Sequence, residues 1–421
     1  MANLSNLKCL VIDRGLYTYL AQKLGESFGK VYYAVQQSEP YPHSQKSRIG
    51  TGLPEIERVR DIWPYIDKVD LVAFFDVYDG ALQTWLRSKG YNVFGSGACE
   101  KLELDRVFFL ATLDKIGLPV PFTQRVKGIQ EACSYMEGKS EKYWKCSWHR
   151  GDFETKKYEN AAQMKPWLQD LKQRLGAGAD TVEILIQDPI KSECEAGWDG
   201  FVVDGEFCKN AINGYEDKDC CYAGRVLPDA PKPLKSVNDK LAPIFKSMGG
   251  YRGHYSSEVR ITKGGKLYFL DPCCRAPSPP SALMCEQYTN YSEAVYEVAC
   301  GRMPELKHKD QFGVQIVMTS EWHDSGENGQ ELCVQFPDEL KPHVKLKNHC
   351  KTAKNTYYVV PNSNGAFFGE IVATGSSFKQ AQKKALEVAK EIKADGFRVA
   401  DNMFDFLNDE IVNGRKFGIA L

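Results

Sequence analysis

The first hundred residues alternate short apolar runs with stretches of helical spacing. The strand candidates are 7–12 (LKCLVI), 31–35 (VYYAV), 71–75 (LVAFF) and 93–94. Helical stretches follow the first and third of these runs, over 16–24 and 81–89. Continuous apolar strands that alternate with helices predict a parallel sheet covered on both faces. We therefore expect a doubly wound α/β domain over residues 1–98.

The middle of the chain mixes helix and strand patterns. A helix is predicted over 105–116, where apolar residues recur at helical spacing before the chain turns at Gly117. Further strands are predicted at 183–186, 200–203, 257–261 and 267–270. The last two are joined by the short segment 262–266, which favours a β-hairpin. Residues 99–305 are expected to form a central mixed domain.

The last section predicts a small α+β domain over residues 306–421. It begins with a strand near Phe312. Ser377 and Gln380 form a capping box, and apolar residues at helical spacing continue to Ile392. The chain is thus expected to combine α/β and α+β domains.

Charge and hydropathy narrow the function classes. The formal net charge of the 421 residues is −1, so no overall field would attract nucleic acid or an anionic membrane. No apolar run approaches the roughly 18 residues that span a bilayer, and the first residues lack a signal-peptide pattern. We expect a cytoplasmic protein without a membrane partner.

The 14 cysteines indicate no obvious metal centre. None has CxxC spacing, and the adjacent pairs Cys220–Cys221 and Cys273–Cys274 are poor partners for one metal ion or one unstrained disulfide. Reduced thiols of a cytoplasmic protein are the simpler interpretation.

Two carboxylates near the predicted hairpin suggest a cation site. Glu258 and Asp271 lie at the adjoining ends of its two strands, so their side chains are expected to lie side by side. Mg²⁺ takes such hard oxygen ligands together with nucleotide phosphates. The alternative is that each acid is exposed and pairs with Arg260 or Lys266.

Two other segments carry candidate nucleotide contacts. Lys145 ends a short aromatic strand before a loop with Arg150 and Gly151, which favours an anionic phosphate chain or, alternatively, a surface hairpin with solvated charges. The strand ending at Gln187 leads into a segment with several acids, a pattern suited to a nucleotide hinge. Asp-Gly turns such as the one that follows are, however, common in ordinary hairpins.

The order of these features resembles the ATP-grasp superfamily. Further segments resemble glycinamide ribonucleotide synthetase in order and spacing. They are 95–96, 102–106, 117–121, 364–365, 370–374, 377–392 and 396–401. The resemblance covers almost the whole chain and implies an N-terminal domain, a central ATP-grasp domain and a C-terminal closing domain.

The resemblance also implies roles for ATP and Mg²⁺ as cofactors. Arg106 stands where the family has its first phosphate lysine, and Lys145 stands at the second. Gln187 belongs to the nucleotide hinge, and Glu195 matches the acid that holds the ribose, with Glu193 as its rival.

Three further positions follow from the same resemblance. Glu258 and Asp271 match the metal carboxylates, with Asp271 shorter than the usual Glu. Arg275 matches the arginine that holds the acyl phosphate or the γ-phosphate, so Arg275 and Lys145 are the catalytic candidates. Cys273 stands where the family has Asn, which replaces a hard oxygen ligand by a soft thiol.

The N-terminal loop departs from the synthetase. Asp13, Arg14 and Tyr17, the substrate candidates, belong to a loop with one glycine and two tyrosines instead of a glycine-rich phosphate cradle. Phosphoribosylamine is therefore not the expected substrate, and a flatter or less charged amine fits better. The alternative is that the tyrosines simply pack on the sheet.

The expected activity is ligation of a small-molecule carboxylate to an amine through an acyl phosphate. A catalytically impaired ATP-binding protein is one alternative. Another is a ligase that modifies a nucleotide or a nucleic-acid base with an amino acid, with the segment 144–150 stacking bases. His149 and His254 receive no role. A homodimer is possible.

Overall fold

The computed structural model describes residues 3–35, 45–147, 155–323, 331–361, 367–419 and 421. The chain forms two compact units. The larger contains Met1–Glu100, Cys194–Val259 and Asp271–Leu421, and the smaller contains Lys101–Glu193 and Arg260–Leu270. The division into three domains at 98/99 and 305/306 stays a prediction.

The larger unit begins with a parallel sheet. Its strands are β1 (Lys8–Asp13), β2 (Lys30–Val35), β3 (Glu57–Val59), β4 (Leu71–Phe74) and β5 (Val93–Phe94), and its helices are α1 (Thr18–Gly25), α2 (Trp63–Ile66) and α3 (Gly80–Ser88). The strand order is β3-β2-β1-β4-β5, with every pair parallel. The predicted parallel sheet is confirmed. Strand β3 was not predicted, because its three residues Glu-Arg-Val carry no apolar run.

The smaller unit is an antiparallel sheet with helices. Its helices are α4 (Lys101–Leu104), α5 (Arg106–Lys115), α6 (Gly128–Met136) and α7 (Ala161–Leu175), and its strands are β6 (Thr123–Lys127), β7 (Lys142–Lys145), β8 (Thr155–Tyr158) and β9 (Glu183–Gln187). The strand order is β6-β9-β7-β8. Trp144, Ile184 and Ile186 project from one face into a buried core with α6 and α7. The predicted helix over 105–116 is confirmed as α5, with the Asp105 side chain as its cap.

A second, larger sheet occupies the rest of the larger unit. Its strands are β10 (Cys194–Val203), β11 (Glu206–Phe207), β12 (Ala211–Asp217), β13 (Cys221–Leu227), β14 (Arg252–Ile261), β15 (Leu267–Cys273), β16 (Phe312–Thr319), β18 (Val344–Leu346) and β21 (Phe367–Gly375). The order is β15-β14-β10-β12-β13-β16-β21-β18, with β11 paired to β10. The predicted hairpin is confirmed as β14 and β15, whose tip residues 260–270 belong to the smaller unit.

A four-stranded sheet and five helices complete the larger unit. These elements are β17 (Leu332–Gln335), β19 (His349–Ala353), β20 (Thr356–Val359), β22 (Lys393–Ala394), α8 (Lys232–Ser247), α9 (Ser281–Gln287), α10 (Tyr291–Ala299), α11 (Phe378–Lys390) and α12 (Asp405–Gly414). The capping box of α11 forms with a shift of one residue. Ser377 accepts from the Gln380 amide, while the Gln380 side chain accepts from the amide of Ser376.

His254 lies in an aromatic core of the larger unit, beside Phe75 and Phe94 of the parallel-sheet region and Phe201 of β10. Its ring stacks on Phe201 with centroids 4.9 Å apart, and its Nε2 lies 3.0 Å from the Tyr291 hydroxyl. The residue is 1% exposed. Burial lowers the pKa of His254 to about 3, so the imidazole stays neutral at physiological pH. His254 is a structural histidine, which agrees with its having no role in the sequence analysis.

We expect His254 to make the protein sensitive to acid. The pKa of His254 is lower in the folded chain than the ordinary value of about 6.5, so below that pH only the unfolded chain takes up the proton. Its stabilising contribution is therefore present above pH 6.5 and is lost as the pH falls. Wild type should lose about 2 kcal/mol more unfolding free energy than His254→Phe between pH 7 and pH 5.

Urea unfolding at the two pH values measures this difference. The exposed residue His308 provides the control, because His308→Gln should keep the wild-type pH dependence. Equal losses in wild type and His254→Phe would contradict the assignment.

Candidate functional site

Four adjacent strands of the larger unit each contribute one carboxyl group to a single cluster. The strands β15, β14, β10 and β12 lie side by side. They carry Asp271, Glu258, Glu195 and Glu216, which we call the acidic cluster. Glu258 and Asp271, predicted as neighbours from the hairpin, are within electrostatic reach of each other. The other two acids come from strands far away along the chain.

Strand register explains how the acids converge. Gly197 of β10 lies opposite Gly214 of β12 in an antiparallel ladder. Continuing that register by two residues places Glu195 directly opposite Glu216, where cross-strand side chains are close neighbours. Glu195 also shares a hydrogen bond with Glu258 on the other side of β10.

The electrostatics of the cluster follow from this crowding. Burial raises the pKa of Glu258 well above its usual range, and the hydrogen bond and charge of Glu195 and the charge of Asp271 add to the effect. The pKa of Glu216 is also raised, chiefly by burial, and the negative charge of Glu195 adds to this shift. Since the Glu216 side chain is exposed, solvent screens part of that shift.

Lys218 approaches the cluster from the turn after β12. Burial alone would lower the pKa of Lys218, but attraction to Glu258 and Glu216 outweighs this effect and raises it. Asp219 and Asp271 act in the same direction. The ammonium group of Lys218 therefore offsets part of the negative charge of the cluster.

The acidic cluster fits a hard divalent cation. All of its donor atoms are carboxylate oxygens, the ligand type that Mg²⁺ selects. A cation bound among these carboxylates would relieve the repulsion that raises the pKa of Glu258. Glu258 and Asp271 are the predicted metal ligands, and the structure adds Glu195 and Glu216 as neighbours.

In the smaller unit, Arg106 and Lys145 converge on Thr155. Arg106 begins α5 and is 6% exposed; its guanidinium lies 3.4 Å from the Thr155 hydroxyl. Lys145 ends β7 directly opposite Thr155 of β8. The Arg106 amide donates to the Ser147 hydroxyl at 3.0 Å, which fixes the start of α5 against the end of β7. Two cations at one strand end form a site suited to an anion.

Gln187 shares a sheet face with Lys145. It lies opposite Tyr143 in the ladder between β9 and β7, and Tyr143 and Lys145 point to the same side of β7. The Gln187 amide donates to the Thr123 hydroxyl at 3.0 Å. This face is opposite the buried core of the smaller unit. The loop residues His149, Arg150 and Gly151 lie outside the described part of the chain.

The carboxyl ends of the parallel sheet hold the three predicted substrate residues. Strand order places the reversal of topology at β1 and β4, the usual ligand position of such sheets. Asp13 is 1% exposed and accepts from the amides of Arg14 and Tyr17 and from the Tyr33 hydroxyl. These bonds fix the loop after β1.

Arg14 and Tyr17 make different contacts from this loop. Arg14 pairs with Asp79 at 2.8 Å and lies over the Tyr78 ring. Tyr17 is fully buried, and its hydroxyl donates to the Ala276 carbonyl at 2.7 Å. The same hydroxyl accepts from Arg275 at 3.0 Å. The structure therefore joins Tyr17, predicted to contact substrate, to Arg275, predicted to be catalytic.

A buried ion pair lies beside Arg275. Lys347 and Glu370 are 1% and 0% exposed, with Nζ and Oε1 3.1 Å apart, and both bond to the Ser278 hydroxyl. Burial lowers the pKa of Lys347, with Glu370 opposing and the charge of Arg275 adding to this shift. The carboxylate of Asp76, just after β4, is also within electrostatic reach of Lys347. The carboxyl end of the sheet is thus rich in fixed charges.

Comparison with known proteins identifies the fold. The phosphoribosylamine–glycine ligase of Thermotoga maritima superposes with a TM-score of 0.68 at 14% identity, over 94% of this chain and 100% of that one. The biotin carboxylase of Campylobacter jejuni, in a β-γ-ATP complex, gives 0.66 at 14% identity over 97% and 98%. A biotin carboxylase domain from Hydrogenobacter thermophilus, bound to MgADP, gives 0.66 at 12% identity over 98% and 97%. The chain has the fold of the ATP-grasp ligases.

No family model and no curated protein matches the sequence. The similarity to these solved structures is therefore one of fold, at sequence identities of 12–14%. In the described residues, no helix is both long and apolar enough to cross a membrane.

Within the ATP-grasp fold, Cys273 is the last residue of β15, two residues beyond Asp271. Its Sγ is 3.8 Å from the Arg275 carbonyl oxygen. The thiol is also within electrostatic reach of the buried residues Tyr251 and Tyr255. Its effect on a metal site stays a prediction.

Several other residues of this ATP-grasp chain were placed in ways that the sequence left open. Glu195 lies in the acidic cluster, whereas its rival Glu193 is exposed and belongs to the smaller unit. Trp144 is fully buried in the core and is not available to stack bases, while residues 148–150 of the segment 144–150 lie outside the described part of the chain. Lys347, Asp76 and Glu216 were missed because single charged residues give no sequence signal unless the fold brings them together.

Proposed function

We propose that this chain is an ATP-dependent ligase that joins a carboxylate to an amine and releases ADP and phosphate. The observation that carries the proposal is the acidic cluster, in which four adjacent strands bring carboxyl groups together, so that the pKa of Glu258 is raised well above its usual range, first by burial and then by Glu195 and Asp271. Natural proteins place like charges this close together chiefly at sites that bind a cation or catalyse a reaction. The ATP-grasp fold supplies the setting.

ATP is the cofactor that the two cationic residues of the smaller unit suit. Arg106 and Lys145 converge on Thr155 and would neutralise its phosphates. Gln187 would contact the base or ribose from the same sheet face. Two of the similar structures hold a nucleotide, one an ATP complex and one MgADP, which supports this choice.

Glu258 and Asp271 would hold Mg²⁺, with Glu195 and Glu216 completing its negative surroundings. When bound, the cation would lower the charge on the phosphoryl oxygens. Glu195 also remains the candidate for the ribose hydroxyls, with Glu193 as its rival. The oxygen-only donor set of the four acids matches Mg²⁺ better than a thiophilic metal, with Cys273 left as a neighbour.

The residues suggest a two-step reaction. A carboxylate oxygen of the substrate attacks the γ-phosphorus, and the bond to the β–γ bridging oxygen breaks to release ADP. Arg275, held by Tyr17, stabilises the charge on the transferred phosphoryl group. The amine then attacks the acyl carbon, phosphate leaves and the amine loses a proton. Positioning supplies most of the rate in such transfers.

The substrates are small molecules that bind near the carboxyl ends of the parallel sheet. Arg14, Asp76 and Arg275 supply charges of both signs there. The loop after β1 holds Tyr17 buried where a phosphate cradle would need open backbone amides. Phosphoribosylamine is therefore not the proposed amine.

Loss of phosphate contacts should weaken nucleotide binding. Arg106→Ala and Lys145→Ala each remove a charge-assisted contact of about 1.5–3 kcal/mol, so the Kd for ATP should rise roughly ten- to a hundredfold. Titration calorimetry without Mg²⁺ measures this change. Lys156→Ala is the matched control, because Lys156 lies next along β8 on the face of the Trp167 ring. Unchanged affinity in both test variants would contradict the assignment.

Loss of the metal carboxylates should remove the effect of Mg²⁺ while the fold persists. Glu258→Gln and Asp271→Asn keep the side-chain shapes but remove the charge that the cation needs. We expect each to lose the gain in ATP affinity on adding Mg²⁺ and, with substrates, turnover. Glu206→Gln on the exposed strand β11 is the control. Retention of the Mg²⁺ effect in both variants would make these acids structural.

The synthetase substrates should not support turnover. With phosphoribosylamine and glycine, ADP release should stay at background, and ribose 5-phosphate should not raise the Tm. Arg14 is paired with Asp79, and Tyr17 fills the loop interior, so no free phosphate cradle remains. A rise of the Tm with MgATP in the same preparation verifies that the protein is competent. Turnover of roughly 1 s⁻¹ or more would restore the ordinary purine-pathway function.

A further inference from the structure

The turn between β12 and β13 brings two thiols and a carboxylate together. Asp217 ends β12 directly opposite Cys221, the first residue of β13. The turn closes with the Cys220 amide donating to the Asp217 carbonyl at 3.0 Å. Asp219 adopts a left-handed backbone with φ of 61°, which lets a three-residue loop reverse the chain.

The ligand atoms of these residues form a compact group. One carboxylate oxygen of Asp217 and the sulfurs of Cys220 and Cys221 all lie within 4.8 Å of one another. Adjacent cysteines on a regular strand would point to opposite faces. Cys220 lies in the turn, however, so strand alternation does not separate its sulfur from that of Cys221. Adjacent cysteines are in general poor partners for one metal ion, but in this turn Cys220 and Cys221 can both contribute their sulfurs to the same ion.

A fourth donor comes from a distant segment of the same unit. The carbonyl oxygen of Met403 lies 3.3 Å from the sulfur of Cys221 and 3.8 Å from that of Cys220. In a tetrahedral zinc site with bonds of about 2.3 Å to sulfur and about 2.1 Å to oxygen, a sulfur and an oxygen lie roughly 3.6 Å apart. The two distances bracket that value.

We propose that Asp217, Cys220, Cys221 and the Met403 carbonyl form a binding site for a thiophilic divalent cation of the Zn²⁺ class. Two sulfur and two oxygen donors suit Zn²⁺, whereas Mg²⁺ does not select sulfur. The group is partly buried, with Cys221 buried and the other two residues half-buried. The site is distinct from the acidic cluster, whose donors are all oxygens.

Binding at this turn would fix two residues of the acidic cluster region. Glu216 precedes Asp217, and Lys218 follows it and is attracted to Glu258. A cation that also engages Met403 would join the turn to the segment before α12. The thiophilic site would thus hold Lys218 in position, and its loss would free the turn without altering the cluster's own carboxylates.

Cobalt binding tests the proposal without nucleotide or substrates. The full chain is reduced, stripped of metal and titrated with Co²⁺, which gives sulfur-to-cobalt charge-transfer absorption and intense visible bands in tetrahedral thiolate sites. We expect the charge-transfer band to saturate at one equivalent, since the oxygen donors of the acidic cluster give no such band, and Zn²⁺ to remove it. Cys220→Ser/Cys221→Ser should abolish the charge-transfer band, and Asp217→Asn should weaken binding by at least about tenfold.

The matched control is Cys300→Ser/Cys333→Ser, which removes two half-buried thiols elsewhere and should keep the band. Absence of the band in wild type, or its persistence in the Cys220/Cys221 double variant, overturns the proposal. If that variant does not fold, alkylation of wild type decides. Zn²⁺ should protect half-buried Cys220 from iodoacetamide but not half-buried Cys133, as read by mass spectrometry. Equal labelling of Cys220 with and without Zn²⁺ overturns it.

Discussion

The central constraint in this molecule is the register that forces four carboxyl groups onto adjacent strands. Two like charges about 4 Å apart repel by roughly 4 kcal/mol at the effective dielectric near a protein surface. The strands stay in place despite this repulsion, because the backbone hydrogen bonds on both sides of β10 fix their positions. The crowding, together with burial, raises the pKa of Glu258 well above its usual range.

A second constraint operates at the carboxyl ends of the parallel sheet. There the loop after β1 is fixed by three hydrogen bonds to the buried carboxylate of Asp13. Tyr17 then supports Arg275 through its hydroxyl. The ion pair of Lys347 with Glu370 is almost inaccessible to water, so removing either partner would leave an uncompensated charge. The hydrogen bond from Arg275 to Tyr17 therefore orients the guanidinium group without a ligand.

The sequence determined the local elements well where one physical signal dominated. Continuous apolar runs predicted the parallel strands, since a strand buried on both faces needs apolar side chains at every position. The hairpin that carries Glu258 and Asp271 followed from two runs and a short polar turn. Strand β3 was missed because three residues with one apolar side chain leave no pattern. The resemblance in motif order predicted a fold that residue identity alone does not reveal.

Only the tertiary structure decided how distant charges meet. Glu195 and Glu216 join Glu258 because β10 lies between β14 and β12, an order that no local pattern encodes. The same holds for Lys347 beside Arg275 and for the Met403 carbonyl beside two adjacent cysteines. Periodicity along a chain reports which side chains share a face of their own element. Which elements become neighbours depends on the summed burial of the whole core, and that sum is not visible in any single segment.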